Sequence, residues 1–338
     1  MHVGDLHLQL PDSWWQEHAR LVLRRAAAKL APDEAGVQLG LTGAASKEHD
    51  GEEQQQQQPQ LQGPRASRVR AAVDALCSIL WACSQLPGQP LQQQQQQQQW
   101  LESCIKLLLP AVVAQQCSPG AAVLLLHACC AGACRKLPTA SSTVQACLVC
   151  VQQRLQKVCA DVNTLQQLLE CMQLRSLQQQ LPPGFCGDLE AVLVSVLPGL
   201  PAELLVEVAK VFGNLQHSPG LGYMSAFSLV TQQKLIRMGP QQISLLVDSC
   251  VHMRVVMPNV WVAAVLQRLQ QCADARQSVA ASHKKTATAT SATLDGLSSG
   301  AVLKALRQLE LVAADWPGAC AGSAGAADKL QTYLQATV

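Results

Sequence analysis

Cys147-Leu-Val-Cys150 is the spacing in this chain that points most directly to chemistry. Two thiols three residues apart can supply half of a tetrahedral zinc site, and Cys129, Cys130 and Cys134 lie near enough in sequence to supply the rest. Both groups, however, sit inside apolar runs, where the i, i+3 spacing puts Cys147 and Cys150 on one face of a helix. They read as core thiols, with a four-thiolate metal site as the alternative. The chain has 15 cysteines in all, scattered among Leu, Val and Ala. That is the habit of small buried residues in a reducing compartment, not of a disulfide framework.

The eight histidines stand at 2, 7, 18, 49, 127, 217, 252 and 283, with no H-E-x-x-H spacing among them, and no glycine-rich phosphate loop follows a strand. His127, in LLLHACC, reads as a packed helix residue and not as a base for Cys129 or Cys130. The residues predict no enzyme, no catalytic group and no cofactor.

The elements that carry these residues are helical by composition. Hydrophobic residues make up 49% of the 338 and aromatic ones only 3%, with Leu, Val, Ala and Gln dominant, so helices are favoured over strands. The formal net charge of +2 gives no strong field for nucleic acid. No run of eighteen apolar residues is present, so no membrane partner is expected. Charges interrupt the first eighteen residues before any signal-peptide core forms, and Asp5, Asp12 and Glu17 do not fit a transit peptide.

One sentence is written twice in the sequence. PAELLVEVAKVFGNLQHSPG begins at Pro201 and PQQISLLVDSCVHMRVVMPN at Pro240, thirty-nine residues later; each closes on a proline, Pro219 or Pro258. A fixed period in this range is the signature of stacked helix pairs. The same span slides onto 120–138, 164–182 and 299–317. A first helix with apolar residues at three- and four-residue spacing, such as Leu204, Leu205, Val208 and Val211, turns at a proline into a second helix, such as 185–197 or 260–269. The predicted fold is all-α, an αα-hairpin solenoid of about six degenerate repeats over 67–336. Residues 1–31 read as an N-terminal helix, a partial repeat or cap, and 32–66 as a disordered Gln/Pro/Gly linker. Two inserts interrupt the array: the polyglutamine run 92–99, an expansion at a loop or at the start of a helix, and a Thr/Ala-rich loop at 279–298.

These repeats resemble octotricopeptide repeats, a helix-pair family of organellar RNA-binding proteins. The opening is matched by Pro201-Ala-Glu203-Leu204 and Pro240-Gln-Gln242-Ile243, the first-helix core by Leu76-Cys-Ser-Ile-Leu80-Trp81-Ala82, and the second-helix start by Pro258-Asn-Val-Trp261. Proline openings are absent at Gly120, Thr164 and Ser299, and the first-helix Trp survives only as Trp81. The resemblance implies a scaffold for single-stranded RNA in organellar RNA processing or stability. It implies the chloroplast, with the mitochondrion or cytoplasm as alternatives. Polar first-helix residues would then read base edges: Lys210, Asn214, Asp248, Ser249, Arg254, Lys304, Arg307 and Gln308. Arg20, Arg24, Arg25, Lys29, Arg68 and Arg70 are candidates for tracking phosphates. The competing reading is an armadillo- or HEAT-like scaffold for a protein partner, with these side chains as an ordinary solvated face.

Overall fold

The computed structural model describes residues 64–85 and 91–283, together with Leu21, Arg24 and Arg25. The described residues are all-α, without a strand among them. Twelve α-helices follow in order. They are α1 Pro64–Ser84, α2 Leu91–Val113, α3 Pro119–Cys130, α4 Ala140–Gln152, α5 Leu155–Ala160, α6 Val162–Met172, α7 Arg175–Gln178, α8 Phe185–Val196, α9 Ala202–Asn214, α10 Leu221–Lys234, α11 Pro240–His252 and α12 Asn259–His283. None is long and apolar enough to cross a membrane.

Local chemistry sets the ends of these helices. Ser118 caps α3 by accepting from Ala121 N, with Pro119 in the first turn, where its missing N–H costs nothing. Asp161 caps α6, accepting from the amides of Asn163 and Thr164. Bonds from the Thr164 hydroxyl and from those amides hold its carboxyl below the usual carboxylate range. At α11 the Gln242 side chain reaches back to Gly239 N at 3.0 Å, and Pro240 opens the helix. Three helices close with a left-handed residue that is not glycine: Gln115, Gln216 and Arg254, at φ 55°, 51° and 56°. Each is followed by a long-reach bond back into the helix: Gln116 N to Ala111 O at 2.8 Å, His217 N to Phe212 O at 2.9 Å, Val255 N to Cys250 O at 3.3 Å. This closure satisfies otherwise orphaned carbonyls and turns the chain toward the next proline.

The chain divides into two compact units between Val151 and Gln152. In the first, α1 packs along α3 and against α2. Asp74 of α1 accepts from Ser118 N at 2.8 Å, fixing the start of α3. Leu76, Cys77, Leu80, Leu101, Cys104, Leu125 and Cys147 are buried in this core.

In the second unit the helices form two layers. One runs α6, α9, α11 and the other α5, α8, α10, α12, each helix packing on its neighbours in the layer. Glu190 of α8 ties its layer to the next turn, accepting from Gly220 N at 2.8 Å and from His217 Nε2 at 2.9 Å. Between the layers Phe212, Tyr223 and Phe227 make consecutive ring contacts at 5.6 Å. Buried Trp261 donates its indole N–H to Thr231 Oγ1 at 2.9 Å. The crossing of α9 on α11 is close at Gly213. A Cβ there would sit 3.1 Å from Ser249 O and 3.2 Å from Ser249 Cα, so backbone and not a yielding side chain stands in its way.

Two boundary expectations change and a third is decided. Helix α1 starts at Pro64, so 64–66 are helical and not linker. Of the two places expected for the polyglutamine run 92–99, a loop or a helix start, the structure has the second: it forms the first turns of α2, because glutamine is a good helix former. Gln97 is buried there and donates to Cys83 O at 3.0 Å. Helix α12 continues to His283, so 279–283 of the expected Thr/Ala-rich loop are helical, carried by Ala280 and Ala281. Leu21, Arg24 and Arg25 are helical and exposed. The rest of 1–31, the remainder of the linker and of the loop, and the sixth repeat with Lys304, Arg307 and Gln308 lie outside the described residues.

Candidate binding face on the first-helix layer

The C-x-x-C of α4 is core. Cys147 and Cys150 are both buried, and Cys150 Sγ lies 3.8 Å from Cys117 Sγ, a thiol–thiol contact. Burial pushes the Cys147 thiol well above its ordinary range, because a thiolate there would lack solvation. Among the described residues no group of three or more His, Cys, Asp or Glu is arranged to hold a metal ion. His127 is half-buried and accepts at Nδ1 from Trp81 Nε1 at 3.1 Å, so it fixes an indole in place. A shallow cleft of about 450 Å³ opens beside α5 and α8, lined by residues that include Arg154, Lys157 and Asp188; Gln152 donates to Asp188 there at 2.6 Å.

In the second unit, polar residues of α6 and α9 are linked, and α11 carries a pair of its own. Gln173, at the end of α6, donates to Glu207 of α9 at 2.6 Å, linking adjacent first helices. Lys210 reaches the same carboxylate at 3.4 Å, one turn along α9. On α11, His252 Nδ1 donates to Asp248 O at 2.8 Å and lies 3.7 Å from Asp248 Oδ1. Asn214 and Arg254 are exposed at the ends of α9 and α11, and Lys210 and Asp248 are half-buried.

Ser249 does not belong with them, which corrects its expected place on the solvated face. It is 6% exposed, and its hydroxyl donates to Leu245 O at 2.6 Å. The repeat offset equates Ser249 with Lys210, but α11 crosses α9 at this position and Ser249 lies against Gly213. Only a small side chain fits there, and that was the available signal in the sequence. The Gln173–Glu207 link was not legible, since its partners are 34 residues apart at different helices.

Among the described residues the acids outnumber the bases on this face. Glu170, Glu203, Glu207 and Asp248 stand against Lys210 and Arg254, and Lys210 is paired with Glu207. Among the described residues the layer therefore carries amides and carboxylates in mixture without a continuous positive stripe.

Comparisons with models of known protein families, with curated proteins and with solved structures found no match.

Proposed function

We propose that this chain is an αα-hairpin solenoid that acts as a binding scaffold without chemistry of its own. Its first-helix layer would take an extended polypeptide. The observation that supports this is the charge among the described residues of that layer: Glu170, Glu203, Glu207 and Asp248 against Lys210 and Arg254. Tracking an RNA backbone needs several unpaired cations to release condensed counterions. A polypeptide needs paired donors and acceptors, which the amides of Gln173 and Asn214 offer together, and the acids favour Lys or Arg on the ligand.

Single-stranded RNA is the second reading. It is favoured by the resemblance of Pro201-Ala-Glu203-Leu204 and Pro240-Gln-Gln242-Ile243 to octotricopeptide repeats, and an organellar site of action comes with it.

Probing the full chain with a peptide array and with a pool of single-stranded RNA across a salt series separates the two. The scaffold reading expects capture of Lys/Arg-containing peptides that weakens in Glu207→Gln and Asp248→Asn. RNA binding whose logarithm falls linearly with the logarithm of salt, with no peptide capture, would overturn it in favour of the RNA reading.

A further inference from the structure

The turn between α2 and α3 brings two thiols into contact in the core of the first unit. Cys117 lies in that turn, outside any helix, and Cys150 lies in α4, 33 residues further on. Their sulfurs stand 3.8 Å apart, one donating its S–H to the other, and both residues are buried. The turn is fixed by Gln116 N donating to Ala111 O at 2.8 Å and by Ser118 N donating to Asp74 Oδ1 at 2.8 Å. These two amides stand on either side of Cys117, and Ala114 and Gln116, just before it, are exposed. A local opening of this turn, with every helix left wound, therefore brings the Cys117 sulfur to solvent.

We propose that Cys117 and Cys150 form a reversible redox latch: a small-molecule disulfide oxidises them to an intramolecular disulfide that fastens the α2–α3 turn to α4. The proposal is independent of what the first-helix layer of the second unit binds. Two features of the geometry support it. First, sulfurs in contact mean that the two side chains already point at one another, and the gap has only to close from 3.8 Å to about 2.05 Å. Second, that small shift falls on Cys117, whose turn backbone can move while Cys150 stays in its helix.

The closed pair is inert. The thiol–thiol bond to Cys150, then burial, hold the Cys117 thiol above its ordinary range, and only a thiolate attacks a disulfide. Oxidation therefore starts from the opened turn. There Cys117 gives its proton to water, and its thiolate attacks one sulfur of the small disulfide. An S–S bond forms between Cys117 and that half; the other half leaves as a thiolate and takes up a proton. While water still reaches the pair, Cys150 gives up its proton and attacks Cys117 Sγ. The protein disulfide forms, the mixed disulfide breaks, and the second half leaves and is protonated in turn. Two protein thiols are oxidised and one small disulfide is reduced to two thiols. A dithiol reductant runs both steps backward.

Oxidised glutathione is the probe. The full chain is incubated with it at about pH 8, alkylated, and mapped by peptide mass spectrometry. The expected product is a cross-link between Cys117 and Cys150, lighter than the dithiol by two hydrogens, formed with helical circular dichroism unchanged and removed by dithiothreitol. It should raise the melting temperature by about 5 °C or more, because it closes the long loop between the two residues. Cys150→Ala should stop at the glutathione adduct on Cys117, and Cys117→Ala should leave Cys150 unmodified. The wild-type map decides the matter even where a variant fails to fold. A wild type whose Cys117 and Cys150 stay reduced while half-buried Cys186 and Cys272 take up glutathione would overturn the proposal. So would pairing of either residue with Cys77 or Cys147 instead, a cross-link that appears only once the chain has unfolded, or one that leaves the melting temperature where it was.

Discussion

The two units are both built of α-helices but fill their interiors with different atoms. In the first, nine cysteines from Cys77 to Cys150 are buried among Leu, Val and Ala, and the described aromatic residues are Trp81 and Trp100. In the second, Phe185, Phe212, Tyr223, Phe227 and Trp261 occupy the interior, with few thiols among them. Small thiols let helices such as α1 and α3 approach along their length. Large rings pin helices at a few points and leave close approach to exceptions such as Gly213. The difference is one of vulnerability: a thiol core fails by ionising, an aromatic core by losing bulk.

Alkaline pH should separate the units most. Burial pushes Cys77, Cys130 and Cys134 up to about 12 and Cys83 up to about 11, from 9.0. The unfolded thiols lose protons from about pH 9 while the folded ones keep theirs, so the unfolded state binds fewer protons and stability falls as pH rises through that window. Each such thiol costs about 1.4 kcal/mol per pH unit. In the second unit Cys159 and Cys250 are raised in the same way, to about 12. Residue-resolved alkylation at pH 8 and pH 10 should therefore show thiols of the first unit opening several-fold faster at the higher pH, ahead of those in the second. Equal rates in the two units would end the distinction.

Truncating a filler comes next. Phe212→Ala in the second unit should cost about 3–5 kcal/mol. Cys147→Ala in the first, at an equally buried site, should cost about 1 kcal/mol, because a single sulfur is lost and little cavity remains. Denaturant unfolding of both variants checks the ratio, and similar losses would mean that the thiol core is as rigidly filled as the aromatic one.

The smallest effect tests what the units share. Gln115 in one and Gln216 in the other hold the same left-handed closing position. Glycine at either should stabilise by about 0.5 kcal/mol, the relief of the left-handed strain less glycine's own entropy. A gain at one site and a loss at the other in thermal melts would show that the two closures are not equivalent.

The proline ruler made much of the helix order legible. First-helix starts read at 120, 164, 201 and 240 correspond to α3, α6, α9 and α11, which begin at Pro119, Val162, Ala202 and Pro240. This worked because the start signals are local: Ser118 with Pro119, Asp161 with Thr164, Gln242 reaching Gly239. The binding face was legible only in part. Periodicity gives the phase of a helix but not which neighbour crosses it, so Ser249 was read as exposed when the α9 crossing buries it. For the same reason Glu190, an acid on a surface helix by pattern, gave no hint that it holds the next turn of its layer.

The glutamines at the start of α2 have a consequence for how this chain can vary. Gln97 touches the core three residues before Trp100, and every position from 92 to 99 is the same residue. Helical phase counts backward from the buried Trp100. Slippage during copying that lengthens or shortens the tract therefore still delivers a glutamine amide to Cys83 O. A stretch of the gene prone to drift in length is thereby joined to a contact that is indifferent to it.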